Sequence, residues 1–274
     1  EQAAAQFAGD YPGAAALPIG EGVVVRSGVP LMPDPTAITD EWVALDSACD
    51  GAYRPTNTAL AGTCVQRVTE GESSGTVVVV GDSHAQQWMA AVLPIAAEQG
   101  WDVVALLKGG CSFAAEEAAV PGVEGCPQWR EAAQRYIARI KPIAVFGMAT
   151  KTEAGGSGER ALDGIERTLD RLSATGAEIV LFRDNPRFGR DVYKCVIRYG
   201  PDSRACRGDR QDHLAPTNPA RGLGSGAVHV IDLSDYLCPA EVCPAVIGNV
   251  AVYLDDNHLT RMYATTLAPI LARD

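Results

Sequence analysis

No stretch of this sequence approaches the roughly 18 consecutive apolar residues that a membrane-spanning helix requires. Its first residues also lack the charged start and apolar core of a secretory signal. The chain opens on Glu1 rather than methionine, which leads us to expect a mature form or a piece of something longer. Lysine and arginine form no cluster, and the net charge is −11, so nucleic acid and anionic membrane surfaces are not the expected partners. Uncharged glycans or acyl donors fit better. No internal repeat is visible. Of the cysteines, only Cys238 and Cys243 come near the close spacing of a zinc site, and no second such pair joins them, so neither metal nor other cofactor is expected.

What is present fits one large α/β domain with an appendage. A chain of 274 residues, 47% hydrophobic and 21% charged, is ordinary for a globular protein. The eight cysteines fall as neighbouring pairs around short loops containing Gly or Pro. Eight cysteines allow 105 connectivities. Pairing in order is our expectation, giving Cys49–Cys64, Cys111–Cys126, Cys195–Cys206 and Cys238–Cys243. Disulfides imply an oxidising compartment, outside the cytoplasmic membrane.

Residues 76–89, TVVVVGDSHAQQWM, organise the rest. Four consecutive valines suit a strand buried on both faces of a parallel sheet. Gly81 permits a tight exit, Asp82 and Ser83 are good helix-start residues, and residues 85–97 continue in helical spacing. Ser83 therefore sits on a strand-to-helix turn at the carboxyl end of a strand, where open α/β sheets build their sites. The plainer alternative is that Ser83 only caps the helix. Residues 254–260, LDDNHLT, weigh against that, since Asp255 stands three residues before His258. A serine needs a base to take its proton, and the base needs an acid to orient it. The pair Asp255 and Asp256 also raises metal or glycosidase chemistry, but no second acid at a defined spacing supports it.

Between these ends, strands alternate with helices. Apolar runs predict strands at 101–107, 143–148, 178–183 and 227–233, and helices at 127–140, 158–174 and from 257 to about 272. The pattern indicates a three-layer α/β/α domain over 76–274, with a five-stranded, mostly parallel sheet of flavodoxin-like type. Residues 1–75, rich in Pro, Gly and Ala, read as an irregular extension packed on that domain or linking it onward, with a short strand at 23–26 and a helical turn at 40–45. Residues 113–126 and 185–227 are long interruptions, expected to be site-shaping loops pinned by disulfides.

Gly81-Asp82-Ser83-His84 and Asp255-x-x-His258 resemble the first and last blocks of the SGNH (GDSL-like) hydrolases. With Lys108-Gly109-Gly110-Cys111 between them, the chain is similar to the SGNH domain fused behind the membrane part of bacterial acyltransferase-3 proteins. The resemblance runs from about residue 76 to the end; the paired cysteines and the Asp10-Tyr11-Pro12-Gly13 segment look like that family's extension. It implies Ser83 as nucleophile, His258 as general base and acid, Asp255 as its orienting acid, and an oxyanion hole from the Ser83 N–H with Gly109 and Gly110. One departure stands out. After the third strand the family carries Asn in a GxND pattern, whereas this chain has Gly147-Met148-Ala149-Thr150. Thr150, Lys151 or Asn185 could substitute, or the hole has two donors. His84 is a possible substrate contact and Asp82 a hydrogen-bonding neighbour. His229 and the tryptophans Trp88 and Trp129 read as core, and His213 as solvent-exposed.

The resemblance implies O-acyl, expected acetyl, transfer to a cell-envelope glycan or glycolipid through an acyl-serine. It also implies tethering outside the cytoplasmic membrane by an N-terminal acyltransferase-3 domain absent from this chain; a monomer is our separate expectation. The alternatives are a secreted carbohydrate or lipid acetylesterase and a catalytically weak glycan-binding domain.

Overall fold

The computed structural model describes residues 9–19, 22–156 and 158–273. Its main sheet has seven strands: β1 (Ser47–Ala48), β2 (Cys64–Arg67), β3 (Gly75–Gly81), β4 (Trp101–Leu107), β5 (Ala144–Met148), β6 (Glu178–Phe182) and β7 (Val228–Ile231). Their spatial order is β1–β2–β4–β3–β5–β6–β7. The five strands β3 to β7 run parallel, as the apolar runs predict. Beyond those five, the count rises to seven because two short strands from the N-terminal segment extend the edge, β2 antiparallel to β4 and β1 antiparallel to β2. The expected break near residue 75 thus falls between two strands of one continuous sheet.

The four valines of β3 are buried, which is why their run carries no polar alternation. Helix α1 (Ser83–Gln99) follows β3 and packs with the two C-terminal helices, while α2 (Cys126–Ile140) packs with α3 (Ile165–Ser173). The β3–α1–β4 crossover runs one way along the sheet and the β4–α2–β5 crossover runs back the other way, which places these two sets on opposite faces and gives three layers. The ring of Trp88 on α1 stacks on Phe182 of β6 at 4.8 Å, and Trp88 and Trp129 are both core residues.

Four local readings change. The helix expected over 158–174 starts only at Ile165, because Glu159–Ala161 pairs with Thr150–Thr152 as a hairpin. Its buried cause is the Glu159 carboxylate, which accepts hydrogen bonds from Arg183 and Thr150. The last helix breaks into Arg261–Thr265 and Ala268–Leu271, and Pro269 in the first turn of the latter has no N–H with which to continue the ladder. Residues 23–26 form no strand, and the helical turn expected at 40–45 is a 3₁₀ helix at Pro35–Glu41, started by Asp34 accepting from the Thr36 N–H. The 185–227 segment contains a helix, α4 (Val192–Tyr199).

All eight cysteines are bonded, each to its nearest neighbour of the four expected pairs, with separations of 15, 15, 11 and 5 residues.

Candidate active site

The parallel strands have the 2-1-3-4-5 order in which a site is expected where connections diverge, here at the carboxyl ends of β3 and β5. At the end of β3, Gly81 has φ +151°, and a Cβ there would lie 2.7 Å from Ala85 Cβ. Only glycine lets the strand turn this sharply into α1. Asp82 caps the helix, its Oδ1 accepting from the His84 N–H at 3.0 Å, so this carboxylate serves the turn. Ser83 is the first helical residue, and its N–H is one of those that a helix start leaves without an intrahelical acceptor.

The tail turn comes from the other end of the chain. Asp255 Oδ1 accepts from the backbone N–H groups of Asn257 and His258, both at 2.8 Å, while the Leu254 N–H donates to the His258 carbonyl at 2.7 Å. Asp255 Oδ2 lies 2.9 Å from His258 Nδ1, and His258 Nε2 lies 2.9 Å from Ser83 Oγ. Burial pushes the Asp255 carboxyl up, but the hydrogen bonds from His258 and Asn257 and the charge of His258 outweigh it and hold the group below its ordinary range. An ionised Asp255 accepts the Nδ1 proton and leaves the Nε2 lone pair facing the serine hydroxyl. Behind this turn, the N–H groups of Phe188 and Val192 donate to the carbonyls of Asp256 and Asp255, so the 185–227 segment does brace the site.

On the opposite side, Gly81 pairs with Leu107, and the Lys108 N–H donates to the Gly81 carbonyl at 3.0 Å. The Gly109–Gly110 turn therefore leaves the sheet beside Ser83. Gly110 has φ +69°, and a Cβ there would sit 3.0 Å from Val120 and Val123 side chains. The Cys111–Cys126 bridge closes the loop that carries them.

The model of the family described as the SGNH domain fused to AT3 domains matches residues 48–273. The chain belongs to that family. No curated protein matches it. Among solved structures, it is similar to the periplasmic domain of a lipopolysaccharide acetyltransferase from Salmonella ser. Paratyphi A, with a TM-score of 0.57 and 12% identity. That match covers 75% of this chain and 84% of the other, and at this identity it speaks for the fold.

At the position where the SGNH family carries its Asn, this domain has a buried alanine with no side-chain donor. Ala149 is 0% exposed, and its N–H donates to the Phe182 carbonyl. Thr150 and Asn185, two of the residues expected to substitute, have their side-chain donors committed inside the protein, and Lys151 is paired with Glu117. Thr150 Oγ1 donates to Glu159 Oε1 at 2.9 Å, Lys151 Nζ to Glu117 Oε1 at 3.0 Å, and Asn185 Nδ2 to the carbonyls of Pro186 and Asn257 at 3.0 and 2.7 Å. His84, expected as a possible substrate contact, is corrected likewise: it is 3% exposed and both ring nitrogens face protein partners.

Glu117 is the hub behind this half of the SGNH site. Arg160 bonds both its oxygens at 2.8 Å, and the Asp163 N–H adds a bond at 3.0 Å. Burial raises its pKa, and these bonds with Lys151 more than reverse that, bringing it to about 2. Arg130 of α2 donates to the carbonyls of Ser112 and Glu117, fixing the same loop from beneath.

Several site residues left no local signal. Trp42, from the N-terminal segment, stands edge-on to the His258 ring at 4.6 Å while 38% exposed, and lines a groove of about 510 Å³ with Tyr193, Ile197 and Leu254. Asp184 and Gln87 are buried beside His84. The position of Asp184 just past the carboxyl end of β6 was the one available hint. The other histidines exchange roles: His213 is buried, with Nδ1 3.1 Å from the Arg187 carbonyl, and His229 is exposed on the edge strand, 2.8 Å from Glu178. Among the described residues, no group of three or more His, Cys, Asp or Glu could hold a metal, and no helix is long and apolar enough to cross a membrane.

Proposed function

We propose that this SGNH domain carries an acyl group, acetyl in our reading, on Ser83 and delivers it to a hydroxyl of a cell-envelope glycan or glycolipid. It does so outside the cytoplasmic membrane, as the exposed part of an acyltransferase-3 protein. The observation that carries this reading is His258 bridging Ser83 Oγ and Asp255 Oδ2 at 2.9 Å on each side. The family description supports the acyltransferase-3 partner, and the lipopolysaccharide acetyltransferase neighbour supports an envelope acceptor. Four disulfides fit an oxidising compartment.

In the first half-reaction, Ser83 Oγ attacks the donor carbonyl while His258 Nε2 takes the hydroxyl proton. The tetrahedral oxyanion is held by the Ser83 N–H and the Gly109–Gly110 turn, at about 3–4 kcal/mol per donor. Collapse leaves acyl-Ser83, and His258 returns the proton to the departing donor. In the second, His258 takes a proton from the acceptor hydroxyl, whose oxygen attacks the ester, and Ser83 leaves with that proton. Intact-protein mass spectrometry after incubation with p-nitrophenyl acetate tests this. An acetyl adduct mapped to Ser83, and lost in Ser83→Ala, is the expected result. An adduct that persists in Ser83→Ala, or none at Ser83 in the wild type, removes the nucleophile from the scheme.

A further inference from the structure

His84 and Gln87 stand three residues apart on α1, hence on one face of the helix, and both are buried. Between them they reach the tail turn. Gln87 Oε1 accepts from the Leu259 N–H at 2.6 Å, and its Nε2 donates to Asn185 Oδ1 at 2.5 Å. His84 Nδ1 lies 2.7 Å from Asp184 Oδ1 and 3.2 Å from Asn185 Oδ1, and Nε2 lies 3.0 Å from Asn257 Oδ1. The Gln87 amide nitrogen, 3.4 Å from Nδ1, is the longest contact of the set.

These contacts define the ring's protonation by geometry. Asp184 also accepts from the Thr152 N–H and hydroxyl, the Asn185 N–H and the Arg187 guanidinium, a set that only an ionised carboxylate satisfies. Asn257 is oriented by its own Nδ2, which donates to Asp256 Oδ1 at 2.7 Å, so its oxygen is what faces the imidazole. Both ring nitrogens therefore face acceptors.

We propose that His84 is a doubly protonated clamp, a positioning residue that holds the turn bearing His258 against the helix bearing Ser83. The inference rests on the serine relay proposed above. A buried ion pair is no better at holding a helix than apolar side chains of equal volume. Here the pair with Asp184 fixes the ring at the end of β6, and the other ring nitrogen, bonded to Asn257 Oδ1, ties helix α1 to the turn whose His258 ring lies 4.9 Å from the ring of His84. Burial pulls the His84 ring toward neutral, and the charge and hydrogen bond of Asp184, helped by Asp82 and opposed by Arg187, carry its pKa above the ordinary histidine value. The groups facing it are Asp184 and Arg187 after β6, Asp82 at the head of α1, and His258 from the tail. Loss of either ring proton at alkaline pH would turn a lone pair toward Asp184 or Asn257 and open the clamp.

Two measurements on the whole chain test this. Nitrogen-15 NMR of the folded wild type should show His84 with protons on both Nδ1 and Nε2 above neutral pH; a ring with one proton at neutral pH overturns the clamp. In p-nitrophenyl acetate turnover, His84→Gln should lower kcat about 10–100-fold with KM within about twofold, the size of a small misplacement of reacting groups. The variant should also displace the alkaline limb of kcat that His84 gives the wild type. Wild-type kcat and limb in His84→Gln overturn the proposal. If that variant does not fold, Asn257→Ala leaves the buried charge pair intact and should lower kcat about tenfold at unchanged KM; unaltered kcat there is equally decisive against it. Ser83→Ala separates the two readings: turnover surviving in it defeats the relay, whereas an inactive Ser83→Ala beside an unaffected His84→Gln defeats the clamp alone.

Discussion

The two sides of Ser83 are built on different principles. On the side of His258, side chains and backbone groups from the head of α1, the end of β6 and the tail of the chain bond directly to one another around Ser83 and His258. On the side of Gly109 and Gly110, no side-chain donor is offered at Ala149, and the charged groups nearby neutralise one another around Glu117, behind the turns. The first half is specified atom by atom, and the second by the shape of two backbone turns held from the rear. Substitutions should therefore act on chemistry in one half and on folding in the other.

The sharpest test of that contrast is Asp255→Asn, which keeps an oxygen for the two backbone N–H groups but disturbs the His258 tautomer. Turnover of p-nitrophenyl acetate should fall about 10²–10⁴-fold with little change in the denaturation midpoint. A fall below about tenfold would erase the distinction. Glu117→Gln should do the opposite, lowering unfolding free energy in urea by about 2–3 kcal/mol while changing turnover only severalfold. The pH dependence has a definite sign. The folded-state pKa of Glu117 is depressed to about 2, so its contribution is complete above the unfolded carboxylate value of about 4.3 and is lost as pH falls through that interval. Acid melts should show that loss in the wild type and lack it in Glu117→Gln. Smallest is Ala149→Asn, which places a larger polar side chain in a fully buried site. It should cost about 1–3 kcal/mol of stability with no gain in turnover; a clear rise in rate would show that this half does accept a third side-chain donor.

The same contrast marks what could be read from the chain alone. The strand at 101–107, the valine run of β3 and the two terminal blocks are legible because burial on both faces and tight turns leave consecutive residues as their signature. The His84–Asp184 contact was not legible, since the two lie 100 residues apart and nothing local to either predicts the pairing. Long-range polar partners also explain the misplaced start of α3, where Glu159 answers Arg183 rather than helical spacing. His229 departs from the core expectation because β7 is an edge strand with one wet face, and His213 departs from the exposed one because its loop packs it against the ring of Phe188 at 4.5 Å. Trp42 was unreadable for a further reason: its segment has little regular structure, and only the tertiary fold brings it to His258.

The bridges have one more consequence. Each joins two cysteines with no other cysteine between them, at separations of 15 residues or fewer. A chain emerging from its amino end would meet each correct partner before any wrong one had appeared. Vectorial delivery alone would then select the native set, leaving little for a disulfide-shuffling catalyst to repair.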